Sequence, residues 1–172
     1  MRTLAILSLA VPLAAPLAWS HDDDHHGGAP AQAANPQKPW GIAGDPRHAR
    51  TVEVRMLDAM RFAPQRIEVR EGETIRFVLR NDGQVPHEMV IGTQAELAAH
   101  AAAMKASPGM QHDEPSMARV PPAGQGELVW TFNRPGSFSF ACLVPGHLEA
   151  GMKGTIVVVP KTAPKTSRAM TH

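Results

Sequence analysis

A single cysteine, Cys142, stands in a chain of 172 residues, so an intramolecular disulfide is excluded. Charge of one sign is also lacking. The formal net charge is +1, no long block of Lys and Arg occurs, and no nucleic-acid-binding motif is present. A polyanionic partner such as DNA or RNA is therefore not expected. Beyond the first 20 residues no apolar stretch approaches bilayer length, which argues against an integral membrane protein. Tyrosine is absent, whereas histidine and methionine are plentiful, with nine Met and nine His. These side chains, with the lone thiol, are soft or borderline metal ligands.

The N-terminus reads as a secretory signal peptide over residues 1–20. Arg2 supplies a short positive region, and Leu4 to Ala18 is mostly Leu, Ala, Ile and Val, interrupted by Pro12 and Pro16. The run Ala18-Trp19-Ser20 places small residues for a cut before His21, and a cut after Ala18 fits as well. No cysteine is available there for a lipid anchor. Export to the periplasm is the expectation. Removing residues 1–20 takes away one Arg and no acid, leaving the remainder neutral with His uncharged. Exported chains commonly use Cys in pairs. A lone thiol in an oxidising compartment survives by burial, by dimerisation or by binding metal.

Residues 21–49 read as a flexible tail, opening with His21-Asp22-Asp23-Asp24-His25-His26 and continuing in Gly, Pro, Ala and Gln. A folded domain is expected over 50–160, followed by a short tail, 161–172, rich in Lys, Thr and Pro. Inside the domain the period is two. Val52, Val54 and Met56 alternate with Glu53 and Arg55. Ile67 alternates with Glu68, as does Val69 with Arg70, and Ile75, Phe77 and Leu79 share a face. Leu128, Trp130 and Phe132 form another such face, and Phe138, Phe140 and Cys142 the next. Turn signals at Ala63-Pro64, Glu71-Gly72, Asn81-Asp82-Gly83 and Arg134-Pro135-Gly136 separate the runs. Residues 94–106 are instead rich in helix formers, with Thr93 as N-cap and Pro108-Gly109 as stop. The predicted fold is all-β, a Greek-key sandwich with one helical insertion.

The chemistry concentrates near the C-terminus. In phase with Phe138 and Phe140, Cys142 turns its sulfur inward at a strand end. Val144-Pro145-Gly146 makes a turn that returns His147 to that end, and Glu149-Ala150-Gly151 makes a second turn before Met152. The spacing is Cys-x4-His-x4-Met. His87 opens a separate strand after Pro86, and a sandwich can bring it beside the Cys142 loop. One thiolate and two imidazoles, with a weak axial thioether, form the type 1 copper arrangement. Zinc accepts Cys and His but seldom Met, so Met152 argues for copper. A backbone N–H near Glu88 is positioned to reach the Cys142 sulfur, and Phe138 and Phe140 to exclude water.

These residues resemble the cupredoxin family, the group of azurin, plastocyanin and auracyanin, and most of all its exported bacterial copper-tolerance members. The matching stretches are Met60-Arg61-Phe62-Ala63-Pro64, Pro86-His87-Glu88-Met89-Val90-Ile91-Gly92, and Phe140 to His147 continuing to Gly151-Met152-Lys153-Gly154. The resemblance implies a β-sandwich over about 50–160, with His87, Cys142, His147 and Met152 as ligands of one copper ion. Azurin has a shorter His-to-Met spacing and a disulfide. The His87-Glu88 pair, the helical insertion and the His-rich tail fit the copper-tolerance branch better.

Two further groups carry copper-binding residue types. His21, His25 and His26 among three Asp either chelate Cu(II) or form a solvated tail. His100, Met104, Met110, His112 and Met117 either offer imidazole and thioether donors to Cu(I) or serve as core packing and loop polarity. Met56, Met60 and Met89 read as core fillers. The expected function is copper binding or buffering in support of copper tolerance, with Cu(I)/Cu(II) cycling. The partners would be copper ions and a periplasmic redox or copper-handling protein. The alternative is a one-electron carrier between periplasmic redox proteins. No second copper set with the His density of a multicopper enzyme is present, so catalysis is not expected.

Overall fold

The computed structural model describes residues 36–107 and 114–161, all within the unit Asn35–His172. Two five-stranded sheets face each other. The first runs in the order β1 (Ile42–Ala43), β8 (Gln125–Phe132), β5 (Glu73–Asn81), β2 (Arg50–Leu57), β3 (Arg61–Ala63). The second runs β4 (Arg66–Arg70), β10 (Lys153–Val159), β9 (Gly136–Ala141), β6 (His87–Gly92), β7 (Met117–Val120). The pairs β2–β5 and β4–β10 are parallel, and the other neighbours are antiparallel.

The alternation in sequence becomes the inner faces of this sandwich. Val54 and Met56, Ile75, Phe77 and Leu79, and Leu128, Trp130 and Phe132 project from one sheet. Ile67, Val69, Met89, Ile91, Phe140, Ile156 and Val158 meet them from the other. Each such side chain contributes about 1.5–3 kcal/mol by leaving water. Phe62 meets Phe140 edge-on at 5.0 Å, and Phe77 meets Phe132 edge-on at 6.2 Å, which gives these rings a favourable quadrupole contact. Met56 and Met89 are fully buried and Met60 is partly so, as core fillers should be.

Strand β6 is buried at every position, which the two-residue period alone does not explain. Its outer side lies under the helix α1 (Gln94–Ala106), where Val90, Ala141 and Leu143 pack against Leu97 and Ala101. The helix begins where the sequence predicts. Thr93 Oγ1 accepts from the Glu96 N–H at 3.2 Å, and Glu96 Oε2 accepts from the Thr93 N–H at 2.8 Å, a complete capping box.

The folded part begins earlier than the expected boundary at Arg50. Trp40 is 2% exposed and stacks on Trp130 with ring centroids 4.4 Å apart. Its indole donates to Glu96 Oε2 at 3.0 Å, while the Trp130 indole donates to the Trp40 carbonyl at 3.2 Å. Ile42 and Ala43 then pair with Thr131 and Trp130. Gly41 makes the close approach possible, since a Cβ there would sit 2.1 Å from the Thr131 carbonyl oxygen. A two-residue strand is too short to show an alternation, so this strap reads as tail in the sequence.

Candidate metal centre

Three polar side chains converge at one end of the sandwich. His87 is the first residue of β6 and is fully buried, and Cys142 follows directly on β9 and is also fully buried. The segment between Cys142 and Met152 folds into consecutive tight turns. The His147 N–H donates to the Val144 carbonyl at 3.0 Å, and the Gly151 N–H to the Leu148 carbonyl at 3.0 Å. Gly146 and Gly151 take φ of +89° and +96°, a region costly for residues with a Cβ. Met152 closes the loop through its backbone: its N–H donates to the His147 carbonyl and its carbonyl accepts from the Cys142 N–H, both at 3.0 Å. The Met152 side chain is fully buried in the core that also holds Phe140 and Cys142.

The donor atoms face one another. His87 Nδ1 lies 3.2 Å from His147 Nδ1, and Cys142 Sγ lies 3.3 Å from His147 Nδ1 and 4.0 Å from His87 Nδ1. Nitrogen and sulfur donors bonded to one ion in a trigonal plane lie about 3.5–4 Å apart, given usual bond lengths of about 2.0–2.3 Å. The observed triangle matches that scale. One sulfur and two imidazole nitrogens converging on one point are a donor set that suits a bound metal. Among the described residues, these are the one grouping of three His, Cys, Asp or Glu ligand atoms within reach of a common ion.

The electrostatics follow from burial. Burial pushes the Cys142 thiol up to about 11, despite the Glu88 N–H donating toward its sulfur at 3.5 Å. Burial, and then the neighbouring His87, hold His147 below the usual imidazole range. The metal-free site therefore holds a neutral thiol beside the weakly basic His147 ring, and metal binding must displace the thiol proton.

Two side chains outside the sequence-based candidate set complete the site. Glu88 is buried, and its Oε1 accepts from the Leu143 N–H at 3.1 Å, tying the His87 strand to the Cys142 loop. Asp58, in the β2–β3 turn, places Oδ1 3.2 Å from His87 Nε2. In the sequence, Glu88 shows only as the neighbour of His87 and Asp58 as an ordinary turn residue. For Glu88 the available signal was its place in the resembling stretch Pro86–Gly92; Asp58 lies just before the stretch that opens at Met60 and carried no such signal.

The other metal-ligating residue types are placed differently. Met104 lies on the inner side of α1 with Leu97 and Ala101, a packing position. His100 is half-buried on the helix flank, lining a cavity of about 380 Å³ with Trp40, Glu96 and Glu114. Met117 is half-buried on β7 and packs under the helix. His21, His25, His26, Met110 and His112 lie outside the described residues.

A β-sandwich that turns a thiol and two imidazoles toward one point at its end defines a mononuclear copper protein. The chain belongs to the plastocyanin/azurin family of copper binding proteins, whose family model matches residues 49–159. It is 49% identical over 158 residues to the copper-resistant cuproprotein CopI of Rubrivivax gelatinosus, covering 90% of this chain and 94% of that one. The like-named protein of Pseudomonas aeruginosa is 35% identical over 162 residues, covering 77% and 82% respectively. A solved structure of auracyanin B superposes with a TM-score of 0.59 at 26% identity, over 74% of this chain and all of that one.

Proposed function

We propose that this chain is an exported protein that binds one copper ion through His87, Cys142, His147 and Met152 and buffers it in support of copper tolerance. The observation that carries the reading is the triangle of His87 Nδ1, His147 Nδ1 and Cys142 Sγ, with sides of 3.2 to 4.0 Å, in a chain similar over 90% and 77% of its length to two copper-resistant cuproproteins. Bound copper supplies a one-electron Cu(I)/Cu(II) couple. The residues supply the rest. The Cys142 thiolate favours Cu(I), the imidazoles suit both states, the Met152 thioether adds a weak fourth donor that tunes the balance, and the hydrogen-bonded loop 142–152 holds the donors in one geometry. Phe140 and the surrounding core keep water away from the thiolate. The reading assigns no catalytic residue.

Copper titration of the secreted form tests it. One equivalent should develop an intense visible thiolate-to-Cu(II) band, and Cys142→Ser should abolish that band; a band that survives the substitution rules out the ligand set. A strain lacking the gene should grow poorly on elevated copper and be restored by the wild-type chain. Further equivalents that disappear on deleting 21–26, or on replacing His100, Met104 and Met110, would add those residues to the copper-handling role.

A one-electron carrier is the second reading, favoured by the likeness to auracyanin B. It requires strictly one copper per chain, fast electron exchange with a cytochrome, and unaltered copper tolerance in the deletion strain.

A further inference from the structure

We propose that Asp58 is a positioning residue for the copper site, one whose carboxylate fixes the tautomer of His87, strengthens it as a donor and thereby favours Cu(II) over Cu(I). The inference rests on His87 being a copper ligand.

The geometry is built rather than incidental. Asp58 sits in the three-residue connection between β2 and β3. The Met60 N–H closes that turn on the Leu57 carbonyl at 2.9 Å, and Met60 takes the left-handed φ of +58°. A tight turn followed by a left-handed residue is a well-defined hairpin loop, so the Asp58 side chain starts from a fixed base. Its other oxygen, Oδ2, accepts from the Gln84 N–H at 2.7 Å. That second anchor is itself held. Buried Asn81 accepts from the Gly83 N–H at 2.9 Å and donates to the Val85 and Val120 carbonyls at 2.8 and 3.1 Å. Gly83 leaves room for the carboxylate, since a Cβ there would lie 1.9 Å from Asp58 Oδ1. One carboxylate oxygen is thus spent on the loop, which aims the other at His87 Nε2, 3.2 Å away.

The consequence follows from the two-nitrogen chemistry of imidazole. A carboxylate oxygen only accepts, so it selects the tautomer with hydrogen on Nε2 and leaves the Nδ1 lone pair facing Cys142 and His147. Negative charge behind the ring pushes electron density toward Nδ1 and makes it a stronger metal donor, and the more highly charged Cu(II) gains more from that than Cu(I) does. The Asp58 side chain is 40% exposed, so solvent screens part of the effect.

Potentiometry of the copper-loaded protein tests the proposal. Asp58→Asn removes the charge at nearly constant shape. It should shift the balance of affinities toward Cu(I) about tenfold, the low end for a residue that holds a ligand, which is about 59 mV upward for one electron. Glu53→Gln, an equal charge change at an exposed position on β2, should leave the potential unmoved. An unchanged potential in Asp58→Asn, or an equal rise in Glu53→Gln, overturns the proposal. Proton–nitrogen NMR of the wild-type Cu(I) form gives a reading that needs no variant. The His87 Nε2–H should be present and protected from exchange; a His87 ring protonated at Nδ1, or a rapidly exchanging Nε2–H, overturns it. Failure of the underlying site reading looks different, because the wild-type chain itself would then show no thiolate-to-Cu(II) band.

Discussion

The backbone N–H of Glu88 points at the sulfur of Cys142 from 3.5 Å, across 54 residues of sequence. The same residue returns a second link, Oε1 to the Leu143 N–H at 3.1 Å. Backbone and side chain of one residue therefore hold the strand bearing His87 against the loop bearing the other candidate ligands. Glu88→Ala keeps the first bond and removes the second, leaving a buried N–H without its acceptor. A loss of about 1–3 kcal/mol in denaturant unfolding of the metal-free protein is expected. Glu88→Gln preserves an acceptor oxygen and should lose clearly less.

The raised thiol of Cys142 makes a prediction about alkaline stability. Burial lifts it from 9.0 to about 11, so between these values the unfolded chain loses the proton while the folded chain keeps it. The native state binds more protons there, and stability must fall as pH rises. At 1.36 kcal/mol per pKa unit, the loss attributable to this group is roughly 2–3 kcal/mol between pH 9 and 11, with none below pH 8. Unfolding curves of metal-free wild type and Cys142→Ala across that range isolate it. Wild type should lose that amount relative to Cys142→Ala as pH rises from 9 to 11, and a constant difference would contradict the burial argument.

The strap at Trp40 should matter for stability without touching the copper spectrum. Trp40→Ala removes the stack on Trp130 and the indole bond to Glu96, and opens a cavity between the strap and the helix. About 3–5 kcal/mol is the usual cost for such a truncation. Thermal melting should fall accordingly, with the visible band of the copper-loaded variant unchanged in position.

The contrast between Trp40 and Thr93 shows what the sequence could and could not disclose. Thr93, Glu96 and the helix formers after them act on their nearest neighbours, so the capping box and the extent of α1 are legible from local order. The strand faces are legible for the same reason, since a period of two is local. Cys142, His147 and Met152 fall within eleven residues, and only His87 had to be brought in by topology. Trp40, Asp58 and the Glu88 carboxylate behave otherwise. Their partners, Trp130, His87 and Leu143, lie at sequence separations that no periodicity encodes, and Asp, Glu and a Trp among prolines are each unremarkable where they stand. The outer cover of β6 was hidden too, because helix and strand were each visible but their contact was not.

In the proposed ligand set, Met152 is the residue that distinguishes copper from zinc. Its side chain is fully buried, and its backbone bonds to both His147 and Cys142, so substitution of the side chain leaves the loop tethered. Met152→Leu keeps the apolar bulk and deletes the thioether, at a packing cost below about 1.5 kcal/mol. Three donors remain, enough to bind copper and to give the thiolate band, but the weak axial contribution is gone. Loss of an axial donor takes more from Cu(II) than from Cu(I), so the reduction potential should rise. A Cys and two His with an open fourth position is also a set that zinc accepts readily, completing its tetrahedron with water. In competition experiments with equal copper and zinc, the variant should therefore retain more zinc than the wild type, measured by metal analysis after desalting. Identical zinc retention and an unmoved potential in a folded Met152→Leu protein would show that Met152 packs beside the site and does not coordinate.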